Sequence, residues 1–296
     1  MDGGWERTHD LKSILRLHRL RNPGVYELAG QYSHLRPSDL ASASCWIYRQ
    51  GRNALGHAVA WKRPRSILFD ELVCAVTGLA DWAVQEWVAA DVGRLRRSFA
   101  LLRRAGAAPG KRVLLRAADD NAFGLLLAKR YALPWESALI LAVANVHDVR
   151  ASPLPRGYSV RPYREGDEAR YAAIHAACFN QQADAPGMRD WATAPDCEGF
   201  SAMCHDRVVG LFIAEVRRGG RLGDFNSAVE EGHRSLGVGT ALLAAGMRSF
   251  RRRGVRRVIA DHWATNAPAV AFYRKHGFRP ERVYHYFSVG QRVRTP

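Results

Sequence analysis

Cysteine is scarce in this chain and never paired in sequence. Its five residues, Cys45, Cys74, Cys178, Cys197 and Cys204, are odd in number and form no C-x-x-C. That spacing removes the usual zinc and dithiol signatures, so no metal site is expected and reduced thiols are. No stretch has the roughly 18 consecutive apolar residues that a membrane-spanning helix needs. The opening Met1-Asp2-Gly3-Gly4-Trp5-Glu6 lacks a basic patch followed by an apolar run, so no secretory leader is expected. Cytoplasmic location without a membrane partner is the resulting expectation. Low-complexity tracts, the Walker lysine and the full G-x-G-x-x-G fingerprint are lacking too.

Acidic residues are the other shortage. Asp and Glu total 28 against 44 Lys and Arg, for a net charge of +16, and arginine supplies nearly all of the excess. Such a surface attracts polyanions and phosphorylated cofactors, although a coding bias toward arginine would leave the same mark. Nucleic acid is a partner that the charge allows, but no aromatic-interleaved basic motif supports it. The clusters Arg94 to Arg104 and Arg251 to Arg257 read first as solvated helix faces. Apolar residues at 47% and charged residues at 24% are ordinary for a globular protein.

What is present is length enough for two domains: 296 residues, at a typical size of about 150 per domain. The stretch Ala151-Ser152-Pro153-Leu154-Pro155-Arg156-Gly157 has two prolines, a glycine and no apolar period, so it reads as a linker. Domains over 1–150 and 151–296 are expected, with the chain acting as a monomer or a homodimer.

After the linker, Tyr158 to Tyr163 alternates as a strand. Asp167 is an N-cap candidate for a helix carrying Tyr171, Ile174, His175 and Cys178 at helical spacing. Gln181 to Cys197, with Pro186-Gly187 inside it, reads as turn-rich. Gly199 to Cys204 and Val208 to Val216 form a hairpin, and Asp224 to Val229 is a third strand. A helix from Gly237 to Phe250, a strand from Arg256 to Asp261, a helix from Ala267 to His276 and a strand from Arg282 to Val289 complete the half. The order β-α-β-β-β-α-β-α-β is a mixed α/β layer architecture.

The junction between Phe225-Asn226-Ser227-Ala228-Val229 and Gly237-Val238-Gly239-Thr240 carries the chemistry. A helix N-terminus leaves N–H groups unpaired and is partly positive, which makes a phosphate site. Gly237 and Gly239 would let a pyrophosphate come close to the backbone, and Arg234 adds a cation. Alone, such a glycine pair is only a flexible helix start.

Two further segments change its meaning. Arg234-Ser235-Leu236-Gly237-Val238-Gly239 resembles the R/Q-x-x-G-x-G/A motif of the GNAT acetyltransferase superfamily, although members often have glycine where Ser235 stands. Asn266-Ala267-Pro268-Ala269-Val270-Ala271-Phe272-Tyr273-Arg274-Lys275-His276-Gly277-Phe278 resembles the family's N-x-x-A-x-x-x-Y-x-x-x-G-F segment. Tyr158-Ser159-Val160-Arg161-Pro162 with Gly166-Asp167-Glu168 is similar to the family's opening strand and acidic helix entry.

The resemblance covers Gly157 to Val289 and implies the acyl-CoA N-acyltransferase fold. Its activity would be acetyl transfer from acetyl-CoA to a primary amine of a small molecule or peptide. The implied cofactor contacts are Ala228, Val229, Arg234, Ser235, Leu236, Gly237, Val238, Gly239, Thr240, Asn266, Ala269, Phe272 and Tyr273. Tyr273 would protonate the departing thiolate; read alone, it is a packing aromatic on an amphipathic helix. Asp224 and Glu215, on the expected central strands, are candidates for the base, as is Glu230 more weakly. A different acyl-CoA donor keeps the same site, and a non-enzymatic module binding CoA or a polyanion is the other alternative.

In the first half, Ser44 to Tyr48 and Ala54 to Trp61 read as a hairpin around Gln50-Gly51-Arg52-Asn53. Asp91 to Ala105 is a basic amphipathic helix with Leu95, Phe99 and Leu102 on one face. Arg112 to Leu133 faintly repeats Arg257 to Phe278, with Asn121 matching Asn266 and Ala128 at the tyrosine position. Asp91 stands where a phosphate loop would need neutral or basic residues. A degenerate, non-catalytic GNAT-like copy and an unrelated α/β domain both fit this half.

Overall fold

The computed structural model describes residues 3–21, 43–63, 66–74, 90–105, 112–149, 153–217 and 220–290. Of the expected linker, Ala151 and Ser152 lie outside the described residues. The chain forms two compact units. One takes Met1–Ile140, His262–Asn266 and Arg282–Pro296; the other takes Leu141–Asp261 and Ala267–Glu281. The expected division at 150/151 is thus crossed by the chain's last strand, most of which belongs to the unit built from the first half.

The first unit opens with strand β1 (Gly4–Thr8) and helix α1 (Leu11–Arg21), neither of which is expected from the sequence. Strands β2 (Ala43–Gln50) and β3 (Asn53–Lys62) form the expected hairpin, closed by the Gln50–Asn53 pair. Gly51 takes φ +62° in its turn, a conformation glycine adopts without a Cβ clash. Strand β4 (Ser66–Cys74), helix α2 (Val92–Ala105), strand β5 (Arg112–Ala118), helix α3 (Ala122–Arg130) and strand β6 (Trp135–Asn145) follow. Strand β4 is another element that the sequence does not announce; its run Ser-Ile-Leu-Phe-Asp-Glu-Leu-Val-Cys has no clean alternation.

Pairing runs antiparallel through β1, β2, β3 and β4, then parallel from β4 to β5. Buried Tyr48, Phe69, Leu72, Leu102, Leu115 and Phe123 form the core under α2 and α3. Phe99 on α2 is only partly buried and stacks on Tyr131 at 3.9 Å.

The second half of the chain follows a similar order with an additional helix. Strand β7 (Tyr158–Pro162) leads to helices α4 (Glu168–Phe179) and α5 (Ala185–Thr193). Strands β8 (Cys197–Cys204), β9 (Arg207–Val216) and β10 (Leu222–Val229) come next, then helix α6 (Val238–Arg252), strand β11 (Arg257–Trp263), helix α7 (Ala267–Lys275) and strand β12 (Arg279–Val289). Pairing is antiparallel from β7 to β10 and parallel from β10 to β11. Residues Tyr284 to Val289 of β12 pair with Ala118 to Val113 of β5, inside the first unit.

Helix α5 corrects the turn-rich reading of 181–197. Asp184 caps it, its Oδ1 accepting the Gly187 N–H at 2.8 Å, and Pro186 lies in the first turn. A capping aspartate followed by proline is a helix start. Asp167 takes the N-cap place of α4, but its side chain makes no cap bond. It instead accepts Arg161 Nη1 and Nη2 at 2.7 and 2.8 Å and Ser201 Oγ at 2.6 Å. Burial pushes its carboxyl up, but these donors outweigh that and hold it below the usual range.

Successive strand residues face opposite ways, and β9 shows it. Leu211 and Ile213 pack with Tyr171, Ile174 and Met188 of α4 and α5. Phe212 meets Gly246 of α6, where a Cβ would lie 2.1 Å from its ring. Helices therefore cover both faces of this sheet.

Helices α3 and α7 close with the same pattern of backbone bonds. Leu133 N–H donates to the Ala128 carbonyl at 2.9 Å, and Phe278 N–H to that of Tyr273 at 3.0 Å. Ala132 and Gly277 both take positive φ, +47° and +81°. Both helices end in the same way, with Ala128 at the position of Tyr273.

Candidate active site

Strand β10 parts from β11 almost at once. The parallel register covers only Leu222 with Arg257 and Gly223 with Val258, whereas β10 stays paired with β9 as far as Val229. Antiparallel ladders alternate hydrogen-bonded and non-bonded pairs. Arg217 N–H donates to Leu222 O, and Glu230 N–H to Val209 O, so the even-numbered residues of β10 bond β9. The N–H groups of Phe225, Ser227 and Val229 consequently face the edge that β11 has left. The Phe225 N–H finds Asp224 Oδ1 at 2.7 Å. On the same edge the Val229 carbonyl accepts Arg234 Nε at 2.9 Å and the Cys178 thiol at 3.5 Å.

Past Val229 the chain makes a short 3-10 turn, Glu231–His233. Tyr158 Oη lies 2.8 Å from His233 Nδ1, and Glu230 is held by Arg170 and Arg207. These contacts fix the loop before Arg234. Ser235 and Gly237 then take φ +62° and +82°. The left-handed turn at Ser235 gives the physical reason why glycine suits that place.

Helix α6 starts at Val238 with no acidic residue in its first turn. The N–H groups of Val238, Gly239 and Thr240 have no intrahelical acceptors, the arrangement that suits an anion at a helix start. Val238 buries its side chain, as does Ala228; each offers backbone only. Leu236 is exposed. Gly239 packs against Phe272, whose ring a Cβ would meet at 3.4 Å. Thr240 Oγ1 lies 3.1 Å from His276 Nε2, which ties the loop to α7. Burial, then the neighbouring Lys275, pushes the His276 imidazole below its usual range.

Tyr273 sits on α7 among Phe225, Phe272 and Phe278, with ring centroids at 6.1, 5.4 and 5.2 Å. Burial pushes its phenol well up, and the charges of Asp261 and Asp224 add to that. Asp224 is buried, and burial raises it to about 6 although Arg217 pulls the other way. Arg217 donates to Asp224 Oδ2 at 2.5 Å and to Glu215 Oε1 at 2.6 Å. Asp224 and Glu215 thus share one guanidinium, whereas Glu230 is held by other arginines. Ala269 lies on α7 as expected, while Asn266 groups with the first unit.

Sequence reasoning missed Arg217, Asp261 and His276. Arg217 falls two residues after Glu215 on a strand end, and only the hairpin brings Asp224 to it. Asp261 lies on β11, near its end, and acts electrostatically on both Asp224 and Tyr273. Among the described residues no cluster of His, Cys, Asp and Glu is arranged to hold a metal. Among them, too, no helix is long and apolar enough to cross a membrane.

Comparison with known proteins agrees with this geometry. Residues 166–278 match the model of the acetyltransferase (GNAT) family. A mycothiol acetyltransferase of Saccharomonospora viridis is 31% identical over 179 residues, covering 54% of this chain and 58% of that protein. The one from Clavibacter michiganensis subsp. michiganensis is 27% identical over 232 residues, covering 71% and 73%. An N-alpha-acetyltransferase of Sulfurisphaera tokodaii is 38% identical over 105 residues, covering 31% and 63%. The chain therefore spans little more than half the length of the first of these relatives.

Among solved structures, a tandem GNAT protein from the clavulanic acid biosynthesis pathway superimposes with a TM-score of 0.63 at 13% identity. That match covers 98% of this chain and 99% of the other. A GNAT-family acetyltransferase from Colwellia psychrerythraea gives 0.66 at 10% identity, covering 96% and 98%. The chain therefore has the mixed α/β fold of these structures, and its residues 166–278 are similar to the acetyltransferase (GNAT) family.

Proposed function

We propose that the second unit is an acetyl-CoA-dependent N-acetyltransferase acting on the primary amine of a small molecule. The observation that carries this reading is the parting of β10 from β11 directly before the loop that carries Arg234 and a helix N-terminus. The splayed edge offers N–H groups in a row, and the loop offers more at its end.

The residues present suit acetyl-CoA. The backbone from Arg234 to Thr240 would hold the pyrophosphate, with Gly237 supplying the left-handed turn. Val229 and Ala228 would run beside the pantetheine arm, together with Ala269, Phe272 and Tyr273. When bound, acetyl-CoA supplies the acetyl group as a thioester and leaves as the thiol.

The chain's own groups divide the remaining work. N–H groups of Ser227 and Val229 point where negative charge on a carbonyl oxygen would develop, and such preorganised donors contribute about 3 kcal/mol. Tyr273, held protonated by its surroundings, donates a proton. Asp224, raised to about 6, is mostly ionised at neutral pH and can take a proton from an ammonium. Glu215 stays engaged with Arg217 and acts at most through it.

The mycothiol acetyltransferases among its relatives support a small-molecule acceptor. The N-alpha-acetyltransferase supports a peptide amine, and product analysis with both acceptor classes separates the two. Calorimetry with acetyl-CoA tests the core claim: one-site binding is expected, and no binding to the folded chain sinks it. Succinyl-CoA titrated alongside decides the donor.

The first unit is read as non-catalytic. Parallel pairing of β4 with β5 covers Ser66 to Phe69, whereas β4 stays paired with β3 as far as Cys74, so a parting occurs there too, and the reading rests on the side chains beside it. Buried Arg116 pairs with Asp70 and lies 4.6 Å from the Tyr284 ring centroid. Ala128 cannot donate a proton.

A further inference from the structure

The first unit has a cavity of about 360 Å³ lined by Trp5, Arg7, Trp46, Leu101, Arg104 and Ala105. That volume is in the range of small-ligand sites. Its shape follows from simple periodicities. Trp5 and Arg7 alternate onto one face of β1, and Arg7 is in register with Trp46 on β2. Leu101, Arg104 and Ala105 lie at i, i+3 and i+4 on one side of α2.

Both indoles are held in place. Trp5 Nε1 donates to Ser98 Oγ at 2.9 Å, and its ring stands edge-on to Tyr48 at 5.3 Å. Trp46 stacks on Phe69 at 5.4 Å. The two arginines differ from their neighbours. Arg49 pairs with Glu6 and Arg94 with Asp91, and at the end of α6 Arg252 pairs with Glu198. Among the described residues no carboxylate pairs with Arg7 or Arg104. Two guanidiniums sharing one cavity without a counter-charge favour an anion, and fixed indole faces favour a flat ring.

We propose that this cavity binds a small planar aromatic acid, its ring against Trp5 and Trp46 and its acid group between Arg7 and Arg104. The inference shares no residue with the acetyl-transfer site and does not depend on that reading.

The probe is 2-naphthoate, titrated calorimetrically into the full chain. One-to-one binding is expected, at least tenfold tighter than that of neutral 2-naphthalenemethanol. The double variant Arg7→Gln, Arg104→Gln should lose at least tenfold, with acetyl-CoA titrations unchanged. Both arginines are exposed, and circular dichroism checks that the variant is folded. A control double variant, Arg52→Gln with Arg130→Gln, should bind 2-naphthoate as the wild type does. Four results overturn the proposal: no saturable binding, equal affinity for the neutral analogue, equal losses in both double variants, or displacement of the probe by acetyl-CoA.

Discussion

Asp224 and Glu215 face each other in register across β10 and β9, and Arg217 reaches both. The side chains are largely buried, so the arginine sets how readily Asp224 ionises. Replacing it with methionine (Arg217→Met) should raise the carboxyl further above 6 and move the acidic limb of the pH–rate profile upward by about one unit or more. A profile superimposable on the wild type would remove Asp224 from the role of base.

The same carboxyl couples to folding. Its value in the fold, about 6, exceeds the ordinary unfolded one near 3.9, so the folded state binds the proton more tightly. Its contribution is therefore fully present below pH 4 and is lost as pH rises through 6, by about 3 kcal/mol. In Asp224→Asn this loss should vanish. Melting temperatures recorded from pH 4 to pH 8 should show the variant gaining on the wild type as pH rises; a constant gap would contradict the raised carboxyl.

Tyr273→Phe removes the phenol and keeps the ring among Phe225, Phe272 and Phe278. Acetyl-CoA affinity should change by less than about threefold, whereas kcat should fall by roughly 10²- to 10⁴-fold, the usual range for a lost general acid. Unchanged turnover with an identified amine would falsify the assignment.

Ser235 and Gly237 both adopt left-handed backbone, but only one is glycine. Ser235→Gly should stabilise the chain by about 1 kcal/mol and leave acetyl-CoA binding as it is. Gly237→Val should weaken that binding at least tenfold through strain in the loop. Denaturant titration and calorimetry on the two variants give both numbers, and equal behaviour of the pair would show that the loop conformation is unimportant.

Gly246 on α6 lies against the ring of Phe212. Gly246→Val would force helix and sheet apart, at a cost of about 3 kcal/mol. A denaturation midpoint equal to that of the wild type would show that α6 does not pack as described.

Much of this is legible in the chain itself. The alternation of Tyr158 to Pro162 and the helical spacing of Leu242, Leu243, Met247 and Phe250 depend on local periodicity, and the elements appear where that periodicity places them. The glycine loop is legible only together with the Asn266 to Phe278 segment, since a glycine pair at a helix entry by itself reads as a flexible start. Helix α5 is hidden because Pro186-Gly187 reads as a breaker unless Asp184 is recognised as its cap. The short β1 and the unpatterned β4 carry too little periodicity to be read.

By itself the sequence determined most of the second half: its strand and helix order apart from α5, its glycine loop and the tyrosine on its last helix. Those follow from residues near one another in the chain, where backbone preference and side-chain period act directly. Tertiary structure alone decided which residues share electrostatics across the sheet. Arg217 meets Asp224 only because a hairpin folds β9 onto β10, and Asp261 acts on Tyr273 only because β11 lies beside the splay. It also decided that residues 284–289 pair with β5, since strand pairing is chosen by backbone bonds over long range and leaves no local mark in the sequence.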